Sequence, residues 1–134
     1  MGAWGHGSFQ NDAAGDWEDD FAARGVEAVA STLKAVTGLP EDEDLAQTTA
    51  SQAIAAAEVV AAARDGDTSR LPDELVARAF AVHQNAIAAA SLHQQARRAV
   101  DRVLRQSELK ELWEDSEDFQ KWLTVVNALD ARLR

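Results

Sequence analysis

The sequence contains no cysteine, which excludes disulfides, thiolate metal centres and cysteine nucleophiles together and fits a reducing, cytoplasmic setting. Long hydrophobic runs are absent too. The longest apolar tract, residues 53–63, is interrupted by Glu58 and falls well short of the roughly 18 consecutive apolar residues that a membrane span needs. No basic stretch followed by an apolar run opens the chain, so the expectation is a cytosolic protein with neither leader nor membrane association. Bases are scarce in the first half: residues 1–67 carry 13 acids and 3 bases, whereas residues 68–134 carry 10 of each, so the whole net charge of −10 lies in the first half. Such a surface repels phosphate backbones, which argues against nucleic acid as a partner. Also missing are a Gly-x-Ser-x-Gly elbow, a Walker or dinucleotide glycine pattern, a His-Glu-x-x-His pair and an Asp-rich calcium loop. No cofactor and no metal are therefore expected, and no enzyme class has a motif behind it.

What is present reads as one helical domain. A chain of 134 residues with 46% apolar and 27% charged side chains has the composition of a folded protein and the length for one core. The opening Met1 to Phe9 sets three glycines among Trp4 and Phe9, poor helix material that predicts an extended or turning aromatic arm. Asn11 and Asp12 then offer an N-cap, and Trp17 and Phe21 share one face of a first helix. Gly25 breaks it, and a second apolar stripe (Val26, Val29, Leu33, Val36) runs to Gly38-Leu39-Pro40. Between Leu45 and Arg64 there is neither Gly nor Pro and alanine dominates, so this segment predicts a helix apolar around most of its circumference, hence central. Gly66 and Asp67 end it. Pro72-Asp73-Glu74 starts another helix, which either breaks at His83-Gln84-Asn85, capped by Asn85, the favoured reading, or runs unbroken through the Ala-rich stretch to Leu104. Ser107 heads a short helix to Trp113, and Phe119, Trp122, Val126, Leu129 and Leu133 mark an amphipathic last one. The expected architecture is all-α, a compact bundle of five to seven helices with the arm lying across it.

Several side chains invite a chemical reading. Trp4, Phe9, Trp17 and Phe21 suit either a ligand-stacking surface or, the favoured reading, an anchor of the arm against Trp113 and Trp122. Glu58, a carboxylate in mid-apolar helix, must be paired, protonated or exposed through a gap in the packing. The paired state implies a structural role, with hydrogen bonds from the arm or an arginine, and the protonated one a general acid or base. His6, Asp12 and Asp16 are conceivable oxygen and nitrogen ligands, but acids at a helix start are better explained by the helix dipole. Arg97, Arg98, Arg102 and Arg105 form the basic cluster, which could face solvent, bind an anion or, the favoured role, pair internally with the acidic half.

Three blocks then resemble a bacterial family known as domain of unknown function 4259: Met1-Gly-Ala-Trp-Gly-His-Gly-Ser-Phe-Gln-Asn-Asp with Trp17, Ala55-Ala-Ala-Glu-Val-Val-Ala-Ala, and Ser107-Glu-Leu-Lys-Glu-Leu-Trp-Glu. Their order and spacing, spread over nearly the whole chain, make the resemblance specific. It implies that Trp4, Phe9, Asn11, Asp12, Trp17, Glu58 and Trp113 are motif residues, of structural kind. At His6 and Gln10 the chain departs from the commoner small or hydroxylic residue and acid, which weakens any role for His6. Two functional expectations follow from the charge count and the missing motifs. One is an interaction module that presents Asp16, Asp19, Asp20, Asp42 and Asp44 to a basic protein. The alternative is a hydrolase-like enzyme with a site near the arm and Glu58.

Overall fold

The computed structural model describes residues 5–134 and contains seven helices and no strand among them: α1 (Asp12–Arg24), α2 (Val26–Thr37), α3 (Gln47–Asp65), α4 (Glu74–Ile87), α5 (Ala90–Arg105), α6 (Glu108–Glu114) and α7 (Phe119–Leu133). Alanine gives α3 its helix propensity and also its position. With small side chains on every side, neighbouring backbones approach it all round, and Ala50, Ser51 and all of Ala53–Ala62 are buried. The other six helices all pack against it. None of the helices is long and apolar enough to cross a membrane.

Local chemistry sets most of the boundaries. Asn11 caps α1 by accepting the Ala14 N–H at 2.8 Å, and Asp73 and Ser107 cap α4 and α6 through the N–H groups of Val76 and Lys110. Gly25 joins α1 to α2 at φ +59°, and an added Cβ there would stand 2.5 Å from the His83 ring, so both the backbone conformation and the closeness of α4 require glycine. The two helices fold back on each other, with the Trp17 indole N–H donating to Thr32 Oγ1 at 2.8 Å. Gly66, in the left-handed region, terminates α3 with its N–H on the Ala62 carbonyl.

One expectation is corrected. The break between α4 and α5 falls at Ala88–Ala89, three residues beyond His83-Gln84-Asn85, and Asn85 caps nothing because it lies inside α4. No side chain caps α5 either. The bend lies between two buried anchors, Ile87 on one side and Leu92 on the other, and no local cap marks it in the sequence. Of the arm, residues 5–10 follow bends and a turn closed by the Gln10 N–H on the Gly7 carbonyl at 3.0 Å. Trp4 lies outside the described residues.

Candidate functional site

Glu58 sits at the middle of α3 and is only 2% exposed. Both its carboxylate oxygens are engaged. Oε2 accepts the Ser8 hydroxyl at 2.6 Å and Oε1 accepts Arg132 Nη1–H at 3.0 Å. Arg132, from the last turn of α7, is itself held by Asp65 (2.9 and 3.2 Å) and by the Asp67 carbonyl at 3.1 Å. Burial pushes the Glu58 carboxyl above the usual range, opposed by the Ser8 hydrogen bond and by the charges of Arg132 and Arg70. One wall of this network borders a cleft of about 280 Å³ lined by Gly7, Ser8, Phe9, Gln10, Arg70 and Val125. Of the states open to Glu58 from sequence, the structure thus displays the paired one, with the arm and an arginine both supplying donors.

The acids expected to form a binding surface divide into two groups. Asp20 is half-buried and held in a two-pronged pair by Arg24 at 2.7 and 2.8 Å, which lowers its carboxyl pKa. Asp16, Asp19, Asp42 and Asp44 are exposed, and among the described residues none has an ion-pair partner. Asp12 occupies the first turn of α1, where the helix dipole favours an acid. Between these residues lies Glu18, which sequence reasoning passed over. Half-buried beside Asp73 at the head of α4, it is pushed up to about 7 by burial first, then by the neighbouring carboxyl of Asp73 and the charge of Asp19.

The four arginines of the basic cluster, all on α5, take different roles. Arg102 is 4% exposed and donates to the Glu43 carbonyl at 2.5 Å, the Pro40 carbonyl at 3.4 Å and the Gln106 carbonyl at 3.2 Å. It thereby clamps the acidic segment onto the end of α5. Arg105 pairs with Glu41 at 3.2 Å and with Asp101 at 2.7 Å. Internal pairing therefore accounts for two of the four arginines, while Arg97 and Arg98 face solvent.

Trp17 and Phe21 stack at 5.2 Å between ring centres and are buried, as is Phe9. Trp113 stacks on Trp122 at 6.3 Å, and the two line a void of about 20 Å³ together with His6, Ser8 and Ser51. The described aromatics therefore anchor the core and present no open stacking face. His6 faces this void while Asp12 and Asp16 are exposed on α1, and among the described residues no three His, Asp or Glu side chains gather as metal ligands. Ser8 and Arg132 were missed. The only trace of Arg132 in the sequence is a base set beside the apolar stripe of α7. For Ser8 the trace is a hydroxyl between two aromatics.

Among known protein families, the model described as a domain of unknown function (DUF4259) matches residues 2–125. No curated protein and no solved structure matches the chain.

Proposed function

We propose, for a chain that belongs to the DUF4259 family of domains of unknown function, that it is a protein-interaction module of the bacterial cytoplasm whose acidic half docks a basic protein. The observation that carries this reading is the contrast among its acids. Glu41, Asp20 and Asp65 are each held by an arginine, whereas Asp16, Asp19, Asp42 and Asp44 stand in solvent with no such partner among the described residues. Charge left uncompensated in this way steers cationic partners and raises their association rate more than it deepens affinity. Nucleic acid and anionic membranes are repelled by the same field.

The test is a pull-down from a bacterial lysate at low and high salt, repeated with Asp16, Asp19, Asp42 and Asp44 all changed to Asn. Retention of one basic protein that is lost both with salt and in the variant is the expected result. A partner retained equally by the variant, a nucleic acid in its place, or no partner at low salt refutes the reading.

One observation favours a second reading, a hydrolytic site. The Ser8 hydroxyl donates to the Glu58 carboxylate at 2.6 Å on the wall of the cleft, the relation of a nucleophile to its base. Against it stands Arg132, which occupies the other carboxylate oxygen and holds the charge. Turnover of small activated esters that disappears in Ser8→Ala, with the fold intact, would favour it over the first.

A further inference from the structure

We propose that the cleft beside Glu58 binds a small organic monocarboxylate, its head on the Arg70 guanidinium and its apolar chain on Phe9 and Val125. In a chain with 23 acids, Arg70, Arg97 and Arg98 have no side-chain partner among the described residues, whereas the other arginines are engaged by carboxylates, carbonyls or the His93 ring. Arg97 and Arg98 stand over a hollow lined only by polar and charged side chains, Asp101 and Asp130 among them, where water solvates them. Arg70 instead borders apolar walls. The loop that carries it is fixed without its help. Asp67 accepts the Ser69 N–H at 3.0 Å and the Ser69 hydroxyl at 2.6 Å, and the Leu71 N–H closes a turn on the Thr68 carbonyl at 3.1 Å. The charge of Arg70 is felt by Glu58, yet no hydrogen bond joins the two. A guanidinium with its full fork of donors thus stands at the cleft.

The other lining groups narrow the ligand. The carboxylate in the lining is that of Glu58, buried and with both oxygens taken by Ser8 and Arg132. A ligand ammonium therefore finds no free acceptor there and meets Arg70 as a like charge. Val125 is half-buried on the flank of α7, beside the inward stripe of Trp122, Val126 and Leu129, and lines the cleft together with Phe9. An apolar chain laid on these two side chains removes water from both partners. Gln10 Oε1 accepts the Gly7 N–H at 2.9 Å, which leaves its amide Nε2 as a further donor in the lining. A carboxylate has two oxygens, which one guanidinium fork matches side by side. A phosphate brings more oxygens and more charge than this donor set satisfies, and it brings them against apolar walls. At about 280 Å³ the cleft falls just under the roughly 300 Å³ at which small-ligand pockets begin, so the acid is short.

Calorimetric titration of the full chain with octanoate tests this. A single octanoate per chain is expected, with acetate far weaker because it lacks the apolar chain, and with no binding of octylammonium. Arg70→Gln lowers the affinity for octanoate by about tenfold or more, the scale of a charge-assisted hydrogen-bonded contact. Arg70→Lys restores only part of it, since a point charge does not match two oxygens. Both variants keep the wild-type melting curve, because the exposed Arg70 side chain holds nothing else among the described residues. Arg97→Gln combined with Arg98→Gln leaves octanoate binding unchanged, which separates this cleft from a general attraction of anions to arginine. Val125→Asn weakens octanoate and leaves acetate as it was. The proposal needs neither a docked protein nor hydrolysis, and the variants that test those readings retain Arg70, so it stands or falls separately from them. Octanoate bound equally by Arg70→Gln, octylammonium bound as tightly, or no binding at millimolar octanoate overturns it. Displacement of octanoate by inorganic phosphate at equal concentration overturns it in favour of an oxyanion site.

Discussion

Replacing Arg132 by Gln strands the Glu58 carboxylate beneath the arm with Ser8 as its remaining strong donor. Removing one member of a buried ion pair costs about 3–5 kcal/mol, because the charge left behind keeps its desolvation penalty. The Arg132 side chain retains 14% exposure, so water reaches the gap it leaves and the lower end, about 3 kcal/mol, applies. With a urea slope of about 1.5–2 kcal/mol per molar, that moves the unfolding midpoint down by about 1.5–2 M. The loss also has a signature in pH. Burial already raises the folded-state pKa of Glu58 above its ordinary 4.5, and loss of the guanidinium raises it further. A carboxyl raised in the folded state contributes stability that is fully present below 4.5 and is lost as pH climbs through the folded value. The deficit of the variant is therefore largest at pH 8 and shrinks at pH 5, where Glu58 takes up a proton more readily. Urea titrations followed by tryptophan fluorescence at the two pH values measure it, and Glu58→Gln added to Arg132→Gln regains much of the loss. Equal deficits at pH 5 and pH 8 would show that the cost lies in the contacts to Asp65 and Asp67, and an unchanged midpoint would refute the reasoning outright.

Three further outcomes are expected. Gly25→Ala lowers stability by about 2–3 kcal/mol, from a positive φ that alanine resists and from displacement of the His83 ring; adding His83→Ala relieves the steric part alone, which a chemical melt of the double variant resolves. Glu18, with a folded value of about 7 against 4.5, makes stability fall as pH rises across that window. Glu18→Gln flattens this slope and gains about 1–2 kcal/mol at pH 7 once solvent screening is discounted, and thermal melts from pH 4.5 to 8 that kept the wild-type slope in the variant would contradict it. Ser107→Ala removes the cap of α6 and the hydroxyl's bond to the Val103 carbonyl, costing about 1 kcal/mol in the same melts.

The boundaries that were legible are those written in short-range chemistry. Asn11, Gly25, Gly66, Asp73 and Ser107 each act within a few residues of themselves, so the sequence displays both the signal and its effect. Where the cause is distant the pattern misleads. The start of α3 has no capping side chain of its own at Ala46; the Gln47 N–H is satisfied by Glu108, while the Glu108 N–H returns to the Leu45 carbonyl. The acidic surface was overdrawn for the same reason. Glu41 looks free in sequence, and only the arrival of Arg105 from α5 shows it to be paired, whereas the partner of Asp20, Arg24, stands one turn on in the same helix and was within reach of the sequence. Glu58 was conspicuous because a lone carboxylate interrupts an apolar tract, but its partners lie 50 residues before it and 74 after it, beyond the reach of any periodicity.

Those separations bear on how the protein is made. As the chain is synthesised, α3 emerges long before α7, and with it comes a stretch of small and branched apolar residues of the sort that sticks to its neighbours when left uncovered. At that stage Glu58 has no Arg132, and its charge stands in water at the centre of the stretch, where it discourages association with other nascent chains. Once α7 arrives, the same carboxylate is drawn inside and becomes an anchor. One side chain thus serves as a solubilising guard during synthesis and as a latch afterwards, and replacing it by a neutral apolar residue would expose the unfinished chain to aggregation even if the finished fold tolerated the change.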